Sequence, residues 1–300
     1  MPQCESLTID QSATPANGPA SWISTQFIGA PAWEAQCGAV KAVVSEARAR
    51  LLYFGSVDGS CNLLCCPENT TSSSPGQPTS NWGGHRFWLG PQKRWVWPPL
   101  SDWEFSPAAS VSSSGGVLHL THPSTASDYP TITREYAFEA GRLRCTASWK
   151  DDARLYYGMH VIAVDVPAAF TFKLSKSQER PAGLVSVLLD GYDTRSLGLH
   201  PAFREMNGLG ELVSGTSEKA KVGVFPQPLQ IRREGGWLLS LHPGPHAGAA
   251  VGCSDSGFLS QVWVGDTTCV FAEMEQISPF LAGDGMGQCS STCYLEACKI

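Results

Sequence analysis

Thr131-Ile132-Thr133-Arg134-Glu135-Tyr136-Ala137-Phe138-Glu139-Ala140-Gly141-Arg142-Leu143-Arg144-Cys145-Thr146-Ala147-Ser148-Trp149-Lys150 reads as a β-hairpin with one buried face. Tyr136 and Phe138 alternate with polar neighbours, Glu139-Ala140-Gly141 turns the chain, and Leu143, Cys145, Ala147 and Trp149 alternate again. Side chains two apart on a strand share a face, so the pattern places these apolar residues on a common core. A second hairpin has Leu229 and Ile231 before Glu234-Gly235-Gly236, then Trp237, Leu239 and Leu241 after it.

Working outward, further strands fit Tyr156 to Val166, Gly183 to Leu189, Phe258 to Val264 and Cys269 to Glu275. Helix is scarce and no repeat of fixed period is present. Gly38 to Phe54 is two-sided: its Ala, Glu and Arg favour helix, whereas its Val, Leu and Tyr fit two short strands, and propensity alone selects helix. Glu68 to Ser80 and Ser106 to Gly116 are rich in Ser, Thr, Pro and Gly and read as exposed loops. The expected fold is all-β, a large antiparallel β-sandwich over residues 21–300, behind a loose leader over 1–20.

Bulk properties fit that class. Three hundred residues suffice to bury about three-quarters of the extended chain's surface. Gly (30) and Pro (21) are plentiful and charged residues are only 16%, which favours short strands and turns. The net charge of -6 gives no general attraction for nucleic acid or an anionic membrane, so neither is an expected partner. The polar N-terminus lacks the basic-then-apolar pattern of a signal peptide, and a cytoplasmic location is expected. There, eleven cysteines read as free thiols. Cys61, Cys65 and Cys66, like Cys289, Cys293 and Cys298, lack zinc-site spacing, and neither metal nor cofactor is expected.

Three segments carry candidate chemistry. Asn81 to Pro99 holds paired glycines, cations and four Trp in nineteen residues. Aromatic faces stack on sugar rings, a guanidinium engages hydroxyls or anions, and glycines let the backbone approach a ligand. A Trp-rich core corner with Arg and Lys stems laid over it fits equally well. In Cys269-Val270-Phe271-Ala272-Glu273-Met274-Glu275 the two carboxylates share a face, where one with a raised pKa could move a proton. In Tyr156-Tyr157-Gly158-Met159-His160, His160 opens an apolar strand and could act as an acid near neutral pH, with His200 as a rival.

Taken in order, these segments resemble a bacterial branch of the galactose mutarotase-like (aldose 1-epimerase-like) superfamily. Gly83-Gly84-His85-Arg86-Phe87-Trp88 before a Trp/Pro-rich run looks like its hallmark. Val43 to Phe54 and Asn62-Leu63-Leu64 are similar to its opening strands, which replaces helix by strand there. Arg134-Glu135-Tyr136 resembles its central hairpin. Tyr157-Gly158-Met159-His160 looks like the strand bearing the acid histidine, and Phe271 to Pro279 like the strand bearing the base glutamate. In that family a glutamate takes the anomeric hydroxyl proton while a histidine protonates the ring oxygen. The resemblance implies an isomerase acting on a small-molecule ligand, a carbohydrate. Glu273 would be the base with Glu275 as alternative, and His160 the acid. His85 and Arg86 would hold hydroxyls, and Trp88, Arg94, Trp95 and Asn62 would line the site. It also implies that Arg86, His160 and Glu273 converge on one Trp-lined pocket. A non-catalytic carbohydrate-binding or sensing protein, or an isomerase or lyase acting on a non-sugar metabolite, fits the same segments.

Overall fold

The structure, a computed structural model, describes residues 20–66, 83–95, 99–122, 129–151, 153–174, 182–185, 192–193, 195–284 and 286–300. The expected leader over 1–20, save its last residue, and the expected loop over 68–80 lie outside them.

The central hairpin forms as the alternation demands. Ile132–Glu139 pairs with Arg142–Lys150, and the intervening Ala140 (φ 48°) and Gly141 (φ 81°) adopt the two positive-φ positions of a tight hairpin turn. Leu229–Arg233 and Trp237–Ala247 form the second hairpin, turned by Gly235 (φ 70°) and Gly236 (φ 74°). Val40–Ser45 and Arg50–Ser56 are antiparallel strands, so tertiary pairing overrides their helical propensity.

Both hairpins lie in one of two large antiparallel sheets. One has seven strands in the order Tyr192–Asp193, Gly183–Val185, Ala220–Val224, Ser260–Val264, Phe271–Ile277, Tyr157–Asp165 and His85–Gly90. The other has ten, in the order Phe203–Met206, Leu209–Val213, Ala169–Lys173, Leu229–Arg233, Trp237–Ala247, Gln288–Lys299, Arg142–Lys150, Ile132–Glu139, Val117–Thr121 and Ser110–Ser114. A four-stranded sheet from Ile23–Phe27 to Arg50–Ser56 flanks them. The α-helix among the described residues is the single turn Ser101–Glu104.

One expectation is corrected here: Ser110–Ser114, read as loop, is the edge strand of the ten-stranded sheet. Gly115 (φ 58°) and Gly116 (φ 80°) fold it back onto Val117–Thr121, whose backbone supplies the ladder that serine propensity alone would not predict.

The core lies between the large sheets. Ile162, Val164, Val222, Val262 and Met274 of the seven-stranded sheet pack with Tyr136, Leu143, Ile231, Leu239, Leu241 and Leu295 of the other. Each such side chain contributes about 1.5–3 kcal/mol by leaving water. A second apolar cluster, around Phe87, Trp88, Trp103, Trp149 and Tyr157, closes one end.

The paired glycines serve this packing. Gly83 (φ 67°) and Gly84 (φ 69°) run so close to the chain that an added Cβ would fall 1.9 Å from the Cys65 carbonyl oxygen and 2.1 Å from that of Leu51. They allow close approach of backbone to backbone, not of backbone to ligand. Gly84→Ala is therefore expected to lose about 3 kcal/mol or more, from the left-handed conformation and the clash together. A urea midpoint matching wild type would remove this account.

Candidate functional site

Register decides which side chains meet. Arg86, Val161, Glu275 and Gln261 lie opposite one another across four adjacent strands, and so do Ala163, Glu273, Trp263 and Lys221. Side chains directly opposite in an antiparallel pair share a face. All of these therefore sit on the outer face of the seven-stranded sheet, turned away from the core. His85, Phe87, His160, Met274 and Gln276 occupy the alternate positions and face inward.

The expected convergence is thus corrected. Arg86 and Glu273 come together, but His160 lies on the opposite side of the sheet. None of the seven-stranded sheet's described strands carries a histidine on the outer face.

On the outer face the central strand Phe271–Ile277 carries both carboxylates, and a cation reaches each from a strand beyond its neighbour. Arg86 spans Val161 and Ala163, short enough to pass over, and hydrogen-bonds the Glu273 carboxylate. Lys221 places its ammonium 2.9 Å from Glu275 Oε2. Arg86 also lies 4.0 Å from Glu104, whose other contacts are Arg50 at 3.0 Å and the Trp88 indole N–H at 3.1 Å. Burial pulls the Arg86 guanidinium down to about 10, with the Glu104 charge opposing that shift, and it stays charged at neutral pH.

This layer is incompletely satisfied. Among the described residues, Arg86 Nε and Gln261 Oε1 are buried without a hydrogen-bond partner, and Glu275 Oε2 has the Lys221 charge beside it but accepts no well-aligned hydrogen bond. All three belong to one cross-strand row. Trp263 and Phe271, with ring centroids 5.3 Å apart, border it and are half-buried.

The inner face carries a different cluster. The Arg134 guanidinium, buried between the sheets, donates to the Ala49 carbonyl at 3.2 Å, the His85 carbonyl at 2.8 Å and His85 Nδ1 at 3.0 Å. A guanidinium only donates, so Nδ1 accepts and the His85 proton resides on Nε2. From there it donates to His160 Nδ1 at 3.1 Å, which leaves the His160 proton on Nε2. That nitrogen approaches the Ser291 carbonyl without making a hydrogen bond. Burial, reinforced by the Arg134 charge, pushes the His160 pKa down to about 3 and that of His85 well below its usual value, so both rings are neutral. A cleft of 230 Å³ opens near this layer, lined by His246, Gln276, Ser278 and Ser291 among others.

The remaining expected residues are spread out. Asn62 bonds the backbone of Phe54, Leu64 and Leu52. Trp88 is buried, with the Arg86 guanidinium 4.8 Å from its ring centre. Trp95 donates to the Leu89 carbonyl at 2.8 Å and packs edge-on against Trp88 and Trp103. Arg94 is exposed, lies over Tyr156 and donates to the Leu155 carbonyl. His200 accepts from the Ala202 N–H and faces Glu218. The described part of the Trp-rich run thus forms a core corner with Arg stems laid over it. Sequence reasoning missed Lys221, Gln261, Glu104 and Arg50. For Lys221 a signal existed: it is the one charged residue of Ala220–Val224 and alternates with apolar neighbours.

Neither a family model nor a curated protein matches the chain. Twenty-two solved chains match its fold. A candidate aldose 1-epimerase of Escherichia coli K12 is 11% identical, with a TM-score of 0.56 over 94% of this chain and 100% of its own. A candidate mutarotase of Salmonella typhimurium is 12% identical, with 0.55 over 93% and 94%. A galactose mutarotase-like protein of Lactobacillus casei is 11% identical, with 0.53 over 92% and 100%. At such identities the likeness concerns architecture, and function does not follow from it. Sheet order and these matches together give the chain a galactose mutarotase-like fold.

Proposed function

We propose that the outer face of the seven-stranded sheet binds a sugar or sugar-like small molecule, centred on Glu275, and does so without an acid histidine. What carries the reading is the row of under-satisfied polar atoms, Arg86 Nε, Glu275 Oε2 and Gln261 Oε1. A buried polar atom left without a partner costs about 1–3 kcal/mol, so such a row asks for an occupant. A hydroxyl can give a proton to either oxygen and accept from the guanidinium. The cations are already matched by Glu273, Glu104 and Glu275, which favours an uncharged ligand. Trp263 and Phe271 offer ring faces for its C–H surface.

Titration calorimetry against a panel of aldoses and polyols tests this. Gln261→Leu and Glu275→Gln are each expected to weaken binding about 10-fold, one hydrogen bond's worth, and Trp263→Ala to weaken it further. Binding that ignores all three substitutions would place the ligand elsewhere.

A second reading, an aldose 1-epimerase-like isomerase, is favoured by Lys221. Its ammonium is a proton donor beside Glu275, so Glu275 could take the anomeric proton while Lys221 protonates the ring oxygen. Acid and base groups of this kind contribute about 10²–10⁴-fold each. Polarimetry of freshly dissolved sugars separates the two readings. Turnover that Glu275→Gln and Lys221→Met abolish supports the isomerase, and ligand binding with unchanged anomer equilibration supports the binding protein.

A further inference from the structure

We infer that the cluster between the sheets, His85, His160 and Cys293, is a binding site for a soft monovalent metal ion, Cu(I). The His85, His160 and Cys293 ligand atoms all lie within 4.8 Å of one another and are buried. Cys145, directly opposite Cys293 on the adjacent strand, stands outside this group and donates its thiol to the Leu143 carbonyl at 3.9 Å. Thiolate and imidazole together suit soft d¹⁰ ions, and the hydrogen bonds at His85 Nδ1 and His160 Nδ1 each call for an unprotonated ring nitrogen.

Charge selects among such ions. Arg134 is a buried cation whose acceptors are two carbonyls and His85 Nδ1, with no carboxylate within ion-pair distance among the described residues. An uncompensated buried charge is costly. Cu(I) with the Cys293 thiolate and two neutral imidazoles is uncharged and adds no charge beside the guanidinium; Zn(II) with the same ligands keeps one positive charge, which Arg134 repels. Binding releases the Cys293 thiol proton to solvent. The proton that His85 shares with His160 moves to His85 Nδ1, where the Tyr136 hydroxyl, 3.3 Å away, accepts it, and Arg134 keeps its two carbonyl bonds.

The test is to refold the full chain anaerobically with Cu(I), then challenge it with a Cu(I) chelator. One equivalent is expected to be retained. Cys293→Ser and His160→Ala should each weaken retention at least about 100-fold, more than losing an outer-shell partner costs, whereas Cys37→Ser on the flanking sheet should not. X-ray absorption of the loaded wild type guards against misfolded variants: mixed sulfur and imidazole scattering is expected. Sulfur scattering alone, retention unchanged in Cys293→Ser, or Zn(II) displacing Cu(I) at equal concentration would overturn the assignment.

Discussion

At about pH 5 the protein is expected to be roughly 4 kcal/mol less stable than at pH 7, from two histidines alone. His122 and His160 are buried, and burial with the Arg134 charge behind it pushes each pKa down to about 3 from 6.5. A depressed folded pKa means that below 6.5 the unfolded chain takes up protons the folded chain refuses. The stabilisation is complete above the unfolded value. It erodes as pH falls, by about 1.4 kcal/mol per unit for each ring, until the folded value near 3 is reached. His85, shifted in the same direction, adds to the loss. With a typical total of about 5–15 kcal/mol, cooperative acid unfolding should set in near pH 4 to 5. Urea midpoints at the two pH values measure the effect, and His160→Gln should flatten the dependence by roughly one histidine's share. Equal midpoints would mean that the rings protonate inside the folded protein.

Glu104→Ala is expected to cost about 3–5 kcal/mol, because removing one partner of a buried ion pair strands the other. The carboxylate holds the Arg50 guanidinium at 3.0 Å and the Trp88 N–H at 3.1 Å, and lies 4.0 Å from Arg86. Glu104→Gln keeps an acceptor for the indole but removes the charge, so it should fall between wild type and Ala. Denaturant unfolding of the pair, each above its own midpoint in ligand-free buffer, reads both. A loss under about 1 kcal/mol for the alanine variant would show the network to be a surface-type pair of small worth.

Much of the architecture was legible because strand signals are local. The Tyr136–Trp149 alternation and the Ala140-Gly141 turn sit within a few residues of one another, and the period of two in Cys269–Glu275 correctly put Glu273 and Glu275 on one side. What sequence could not supply was parity between distant strands. Whether His160 faces with Glu273 depends on Ala163, not His160, pairing with Glu273 across more than a hundred residues of chain. A shift of one residue reverses the answer. The ion pairs were hidden for the same reason: Arg86 and Lys221 meet carboxylates on a strand that neither adjoins, and only the assembled sheet order brings them there. Gly83-Gly84 was legible as a need for close backbone approach, but composition does not name what is approached.

The Ser110–Ser114 strand has a bearing on how molecules of this protein behave in a crowded solution. Among the described residues it is the outermost strand at one rim of the ten-stranded sheet, with Ser110, Ser112 and Ser114 exposed in alternation. An open rim invites a second chain to add on and begin a fibre. Serine hydroxyls compete with an incoming backbone for the same hydrogen bonds and offer no apolar stripe for an incoming strand to bury. A low-complexity serine tract that looks dispensable would therefore protect against self-association, and replacing its outward serines with valine should turn a guarded edge into a sticky one.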